Sequence, residues 1–132
     1  MSALLHIAID AMGGDHGAAV SVPAALAAAG EFPNVRFTLI GRRGDLEREL
    51  GGAAPANVSC LFAADVVEMT DHPREALRRK TDSSMRRAID LVKVKEAHAC
   101  VSAGNTGALM AMAHFVLKML PGVERPAIVS LI

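Results

Sequence analysis

The sequence predicts an α/β fold built on a doubly wound, mainly parallel sheet, and two observations lead to this prediction. Short apolar segments alternate with longer segments of helical periodicity along the chain. The short segments are apolar at nearly every position, which is typical of strands covered by helices on both faces. Right-handed connections between such strands place helices on both sides of one sheet.

Glycine and proline mark the ends of most predicted elements. Gly30 and Pro33 end the first helix, and Asp82 or Ser83 is expected to cap the fourth. The predicted strands are Leu4–Asp10, Val35–Ile40, Asn57–Phe62, Ala97–Ser102 and Pro126–Ile132. The predicted helices are Gly17–Gly30, Asp45–Leu50, a weak turn at Glu75–Lys80, Ser84–Lys95 and Asn105–Leu120.

The chain ends inside the fifth predicted strand, and no helix follows to cover that part of the sheet. We therefore expect residues 1–132 to form the N-terminal part of a single α/β domain, apparently truncated, with the remainder of the domain absent. The 132 residues are enough for one hydrophobic core.

Composition excludes several classes of protein. Hydrophobic residues make up 52% of the chain and the formal net charge is zero, so no global field attracts nucleic acid. The N-terminus lacks the pattern of a signal peptide, and the apolar segment Ala108–Leu120 is too short to span a bilayer. We expect a cytoplasmic protein in which Cys60 and Cys100 are free thiols.

Two glycine-rich loops follow the first and fourth predicted strands. In an open sheet of order 3-2-1-4-5 these two strands are neighbours at the point where the winding reverses. Ligands bind outside the carboxyl ends of the strands at such a point. The sequence therefore places Asp10–Gly17 and Ser102–Gly107 on either side of one crevice.

The second loop runs directly from a strand end into a helix. Free backbone N–H groups and the positive end of the helix dipole attract phosphate at such a position. Gly104 and Gly107 allow close approach of the backbone, while Ser102, Asn105 and Thr106 offer neutral hydrogen bonds. The alternative is that Asn105 or Thr106 only caps the helix and the glycines only shape the turn.

The first loop is neither the dinucleotide fingerprint nor the P-loop pattern. Asp10, Asp15 and His16 surround its glycine pair, and His16 is a candidate general acid or base. The alternative is that Asp10 accepts loop amides, Asp15 caps the following helix and His16 is a solvated loop residue.

A basic segment lies between Arg74 and Arg87, with six cationic residues against Glu75 and Asp82. It follows the third strand, so it can reach the same edge of the sheet and attract an anionic substrate or a protein with an acidic face. A solvated helix face or a subunit contact is an equal alternative. Lys80, beside a helix start, is the strongest candidate of the six.

These loops resemble those of the phosphate acyltransferase (PlsX) family. The resemblance extends over nearly the whole chain, although a typical family member continues well beyond residue 132. It rests on Ile9-Asp10-Ala11-Met12-Gly13-Gly14-Asp15, Arg79-Lys80, Ser83-Ser84-Met85, Cys100 to Met110, Leu120-Pro121-Gly122 and Arg125-Pro126-Ala127.

The resemblance implies an enzyme of phospholipid synthesis that transfers a long-chain acyl group from acyl carrier protein to inorganic phosphate. A membrane glycerol-3-phosphate acyltransferase would consume the acyl phosphate. The family fold is Rossmann-like and similar to that of isocitrate dehydrogenases and phosphotransacetylases. The resemblance further implies a homodimer, peripheral association with the inner face of the cell membrane, and no metal or organic cofactor.

Residues and resemblance together give a set of candidate site residues. We expect His16, Asn105 and Lys80 to be catalytic. The expected phosphate or substrate contacts are Asp10, Gly13, Gly14, Asp15, Ser83, Ser84, Ser102, Gly104, Thr106 and Gly107.

Three other functions compete with this interpretation. A short-chain phosphotransacetylase-like enzyme differs only in its acyl donor. A nucleotide-dependent dehydrogenase lacks the fingerprint glycines, although Arg42 and Arg43 after the second strand suit a 2′-phosphate. A non-catalytic module that binds anions is the third alternative.

Overall fold

The computed structural model describes residues 4–132 and contains four strands and five helices within them. The strands are β1 (Leu5–Asp10), β2 (Val35–Gly41), β3 (Val58–Phe62) and β4 (Ala99–Ser102). The helices are α1 (Ala18–Glu31), α2 (Arg43–Leu50), α3 (Pro73–Arg79), α4 (Ser84–Lys93) and α5 (Thr106–Leu117).

All strand pairs are parallel, and the strand order is β3-β2-β1-β4. The chain winds from β1 outward to β3 and then crosses back to β4, so the direction of winding reverses between β1 and β4. The doubly wound fold is confirmed, and the observed order agrees with the first four strands of the predicted order.

Helices cover both faces of this sheet. On one face α1 and α2 pack on β2, and Leu39 lies with Val22 and Leu46 in one core cluster. On the other face α4 contacts β1, β2 and β4, and Ile40 lies with Ala88 in a second cluster. Helix α5 forms an outer layer against α3 and α4. The start of α5 follows the end of β4 and therefore lies at the carboxyl edge of the sheet.

Two helix starts follow simple local rules. Ser83 is the N-cap of α4 and its hydroxyl accepts a hydrogen bond from the Arg86 N–H at 3.2 Å, so one of the two predicted caps is confirmed. Pro73 opens α3, where a proline loses no helical hydrogen bond. The weak turn predicted from Glu75 is therefore a full helix that begins two residues earlier.

The predicted fifth strand is wrong. Residues 126–132 contain no strand or helix, and all of them are exposed. A strand is stable only when a neighbour pairs with it, and none of residues 4–132 pairs with this segment. No helix in the described part of the chain is both long and apolar enough to cross a membrane.

Candidate active site

The two glycine-rich loops emerge side by side at the carboxyl edge of the sheet. Strands β1 and β4 pair in parallel, and their last residues, Asp10 and Ser102, are partners in the register. This is the point where the winding reverses, which is where open α/β sheets bind ligands. The predicted placement of both loops at one position is therefore confirmed.

The buried carboxylate of Asp10 joins three segments at this point. One oxygen accepts hydrogen bonds from the Ser84 hydroxyl at 2.6 Å and from the Met12 N–H at 3.2 Å. The other accepts from the Ser102 hydroxyl at 2.7 Å, and the Ser102 oxygen in turn accepts from the Gly104 N–H at 3.1 Å. Asp10 therefore ties the first loop, the start of α4 and the second loop together.

The two loops touch through glycines. A side chain built on Gly13 would place its Cβ only 2.8 Å from the Gly104 nitrogen and 2.9 Å from the Ser102 hydroxyl oxygen. A Cβ on Gly104 would lie 3.3 Å from the Gly13 Cα. This close approach requires glycine at position 13, because a backbone atom in the opposite loop has little room to move.

Helix α5 begins at this contact and leaves two backbone donors free. Asn105 is the N-cap, and its side-chain oxygen accepts from the Ala108 N–H at 3.1 Å. Within residues 4–132, the N–H groups of Thr106 and Gly107 have no hydrogen-bond partner, and both residues are exposed. These donors, at the positive end of the helix, can bind a phosphate oxygen or a developing oxyanion.

Asn105 also holds a distant loop. Its side-chain NH₂ lies within hydrogen-bond distance of the carbonyls of Glu68 at 3.2 Å, Met69 at 3.4 Å and Asp71 at 2.8 Å. Asn105 is buried, and its amide is used entirely within the protein. The helix cap that the alternative assigned to Asn105 is thus present. Its predicted contact with substrate stays a prediction.

Lys80 holds the same loop from the other side. Its ammonium donates to the Val66 carbonyl at 2.8 Å and to the Asp71 carboxylate at 2.5 Å. The hydrogen bond from Lys80, followed by one from the Glu68 N–H, lowers the pKa of Asp71 below its usual value. Two of the three predicted catalytic residues therefore fix the loop of residues 66–71 in this structure.

His16 is the one predicted catalytic side chain that faces open space. It is exposed and lines a cavity of about 220 Å³ together with Gly13, Gly14 and Ala103, so it lies beside the second loop. Asp15 is exposed as well. The alternative that Asp15 caps the following helix is wrong, since Gly17 is the N-cap of α1 and no side chain caps that helix. The predicted contact of Asp15 with substrate stays a prediction. The φ of Gly17 is +53°, and this backbone turn directs the chain into the helix without a cap.

Ser83 and Ser84 lie beneath the surface. Both are buried. The Ser83 hydroxyl accepts a hydrogen bond from the Arg86 N–H in the first turn of α4, and the Ser84 hydroxyl donates to the Asp10 carboxylate. Asp10, also a predicted substrate contact, is buried in the same way. The structure therefore places all three as supports for the loops, and direct contact between them and a substrate stays a prediction.

Two arginines beside His16 were not among the candidate site residues, although Arg42 was noted from the sequence as suited to a 2′-phosphate. Arg42 and Arg48 line a polar cavity of about 280 Å³ with His16, Asp45 and Glu68. Arg42 directly follows the carboxyl end of β2, so its position after a strand was the available signal. Arg48 lies in the exposed charged helix α2, and nothing in its local sequence distinguishes it.

Neither a metal centre nor a reactive thiol is present in the described residues. No group of three or more His, Cys, Asp or Glu side chains within residues 4–132 has the geometry to hold a metal ion. Burial, and to a smaller extent the nearby Asp10 carboxylate, raises the pKa of the Cys100 thiol. Cys100 is therefore a poor nucleophile, although it lies on β4.

Comparison with known proteins identifies the family. The model of a family described as "Fatty acid synthesis protein" matches residues 5–132. The chain belongs to this family. It is 57% identical over 127 residues to the phosphate acyltransferase of Nitrosococcus oceani and 54% identical over 131 residues to that of Methylococcus capsulatus. The resemblance noted from the two loops is confirmed.

These alignments cover most of this chain and a smaller part of each relative. They include 94% of the present residues but only 37% of the Nitrosococcus protein and 38% of the Methylococcus protein. A third phosphate acyltransferase, from Ectopseudomonas mendocina, is 50% identical over 127 residues with the same pattern of coverage, 94% and 38%. The chain thus spans little more than a third of the length of the curated relatives it matches.

Proposed function

We propose that the complete protein containing this chain is a phosphate acyltransferase that moves a long-chain fatty acyl group from acyl carrier protein to inorganic phosphate. A phosphate oxygen bonds to the thioester carbonyl carbon and the carbon–sulfur bond breaks. The thiolate takes up a proton, which leaves acyl phosphate and the free thiol of the carrier. No covalent acyl-enzyme is required, because the phosphate itself is the nucleophile.

One observation supports this proposal most strongly. The free N–H groups of Thr106 and Gly107 lie at the start of α5, at the point where the two glycine loops meet. In the proposed reaction they bind the attacking phosphate or the oxyanion that develops on the thioester carbonyl. Rigidly held donors of this kind stabilise a transition state by about 3–4 kcal/mol each, because they need no reorganisation when charge develops.

His16 is the proposed proton donor to the departing thiolate. It lies on the first loop and shares a cavity with Gly14 and Ala103, which places it across from the second loop. We assign Asn105 and Lys80 a positioning role. They hold residues 66–71 against the start of α5, and this contact fixes the direction of the Thr106 and Gly107 donors.

The proposed partners follow from the same reaction. Acyl carrier protein and inorganic phosphate are the substrates, and a membrane glycerol-3-phosphate acyltransferase receives the product. We propose a cytoplasmic homodimer that associates peripherally with the inner face of the membrane. No nucleic acid is expected to bind.

Acyl phosphate formation tests the proposal. The chain, continued to the full length of its relatives, is incubated with palmitoyl-acyl carrier protein and labelled phosphate, and the product is trapped with hydroxylamine. Thr106→Pro removes one proposed donor, because proline at the first helical position keeps the helix but lacks the N–H. We expect turnover to fall about 10²-fold in Thr106→Pro, and Thr106→Ala, which retains the N–H, to lose much less.

A matched control separates the lost N–H from a general effect of proline. Arg43 is the first residue of α2, follows an extended residue and is exposed. Arg43→Pro therefore removes the N–H at the first position of another helix, together with an exposed pair to Glu47 and a contact with the Phe62 ring. Its turnover should stay close to that of the parent.

Turnover of acetyl coenzyme A in place of the carrier thioester would favour a short-chain phosphotransacetylase. Phosphate binding without cleavage of any thioester would favour a non-catalytic module.

A further inference from the structure

A groove on the outer layer of the protein combines unpaired cations with exposed apolar surface. It has a volume of about 490 Å³ and lies between α3, the start of α4 and the last turn of α5. We call it the α3–α5 groove. Its lining residues are Arg74, Leu77, Arg78, Thr81, Arg86 and Phe115.

Among residues 4–132, two of the three arginines that line this groove are unpaired, whereas the third, Arg86, pairs with Asp90 at 3.1 Å. Arg79 pairs with Glu75 at 3.1 Å and Arg87 with Asp82 at 2.6 Å, both outside the groove lining. Arg74 and Arg78 are exposed and form no ion pair with any of residues 4–132. The local excess of positive charge is thus concentrated on the groove, in a chain whose net charge is zero.

Phe115 forms the apolar part of the groove. Its side chain is 54% exposed, and two cations lie against its ring, with the Arg86 guanidinium 5.7 Å and the Lys118 ammonium 5.0 Å from the ring centre. Leu77 adds a half-buried aliphatic wall. An exposed aromatic residue surrounded by cations is typical of a surface that binds a partner with one apolar and one acidic face.

We infer that the α3–α5 groove is the docking surface for an acidic amphipathic helix of a partner protein. An apolar side chain of that helix enters the groove against Phe115 and Leu77, and its carboxylates pair with Arg74 and Arg78. Helices commonly bind in apolar grooves in this way, and opposite charges on the rim increase the rate of association. The concave shape favours a helix over a flat lipid surface.

The groove lies close to the proposed anion site. Phe115 and Thr106 lie on the same helix nine residues apart, which is about 14 Å at the rise of an α-helix. A protein docked there sits near the anion site. If the proposed function holds, on which this identification rests, the partner is the carrier protein that delivers the acyl thioester.

Binding of apo-acyl carrier protein to the 132-residue chain tests this inference. The apo form lacks the prosthetic arm and the thioester, so its binding reports protein docking alone. We expect Arg74→Glu with Arg78→Glu to weaken the dissociation constant, measured by fluorescence anisotropy, at least about tenfold, and Phe115→Ala to weaken it about threefold or more. The charge-conserving pair Arg74→Lys with Arg78→Lys should retain most of the affinity.

Arg36→Glu with Lys93→Glu is the matched control. Both residues are exposed, form no ion pair with any of residues 4–132 and lie outside the groove, and the change in net charge is identical. This pair should change the affinity by no more than about twofold, because it alters only the long-range field. Circular dichroism checks that every variant is folded.

Several results would overturn the docking inference. These are no binding of the apo carrier, equal weakening by both charge-reversal pairs, or groove-dependent binding of phosphatidylglycerol vesicles in place of the carrier. A dimer that Phe115→Ala dissociates would assign the groove to a second copy of the chain. Groove-dependent carrier binding by a full-length protein that forms no acyl phosphate would refute the proposed function and leave the docking surface intact.

Discussion

The two glycine-rich loops differ in how firmly the structure holds the helix that follows each of them. Both helices leave N–H groups of their first turn without intrahelical partners. Helix α5 starts from Asn105, which caps it and binds three carbonyls of another loop. Helix α1 starts from Gly17, which has no side-chain cap, and exposed Asp15 and His16 precede it.

This difference divides the proposed work between the loops. Donors that stabilise developing charge must be fixed before the reaction, which favours the start of α5. A proton donor must instead reach the departing sulfur, which suits an exposed side chain such as His16 on the less constrained first loop. The contact between Gly13 and Gly104 keeps the two at a fixed separation.

The largest effect is expected from separating the loops. Gly13→Ala places a methyl group 2.8 Å from the Gly104 nitrogen, so the loops must move apart. We expect turnover to fall by at least about 10²-fold, as for other misplacements near 1 Å, and the free energy of unfolding to fall by about 1–3 kcal/mol. Acyl phosphate assays and thermal unfolding measure the two effects.

Gly30→Ala is the control for this substitution. Gly30 lies in α1, and a Cβ there meets no atom within 4 Å, so alanine should stabilise the helix by about 0.5–1 kcal/mol. If Gly13→Ala behaved like Gly30→Ala, the contact between the loops would have no role in holding the site.

The second largest effect is expected from a substitution in the first loop. We expect His16→Gln to lower kcat about 10²-fold, because a general acid is lost. The side chain is exposed and makes no hydrogen bond to any of residues 4–132, so the free energy of unfolding should change by less than about 0.5 kcal/mol. If His16→Gln left kcat unchanged at every pH, His16 would have no role in proton transfer.

Asn105 allows the cap and the loop contact to be separated. We expect Asn105→Ala to lower the free energy of unfolding by about 1–2 kcal/mol and turnover about tenfold. Asn105→Ser keeps a capping oxygen but lacks the amide that binds Glu68, Met69 and Asp71. Asn105→Ser should retain most of the free energy of unfolding of the parent. The backbone amides of residues 68–71 should still exchange faster with solvent than in the parent. Equal protection in both variants and the parent would contradict the positioning role.

The smallest predicted effect concerns Asp71. Because Lys80 lowers the pKa of Asp71 in the folded protein, this pair adds stability above the unfolded pKa of about 3.9 and loses it as the pH falls through the folded pKa. In Lys80→Met the pKa of Asp71 should rise toward its usual value. An NMR titration of the carboxylate measures this, and an unchanged pKa would show that Lys80 does not hold the loop in solution.

Local sequence signals predicted the frame of the site but not its contacts. Asp10 and Ser102 end apolar strands, so their meeting at the sheet edge followed from the order of elements alone. The partners of Asn105 lie 34 to 37 residues away in an irregular loop, and no periodic pattern reveals such a pair. The predicted fifth strand failed for a related reason. Apolar residues in 126–132 suit a strand, but the pattern cannot say whether a neighbour is there to pair with it.

The most direct test of the account is a phosphate titration of the isotope-labelled 132-residue chain, followed by amide NMR at constant ionic strength with sodium chloride as the balancing salt. The account predicts that the amides of Thr106 and Gly107 shift most and saturate together, and that Thr106→Pro weakens the binding measured at Gly107. Shifts confined to Ala18 and Ala19 at the start of α1, or no saturable shift at α5, would contradict the assignment of the anion site to the second loop.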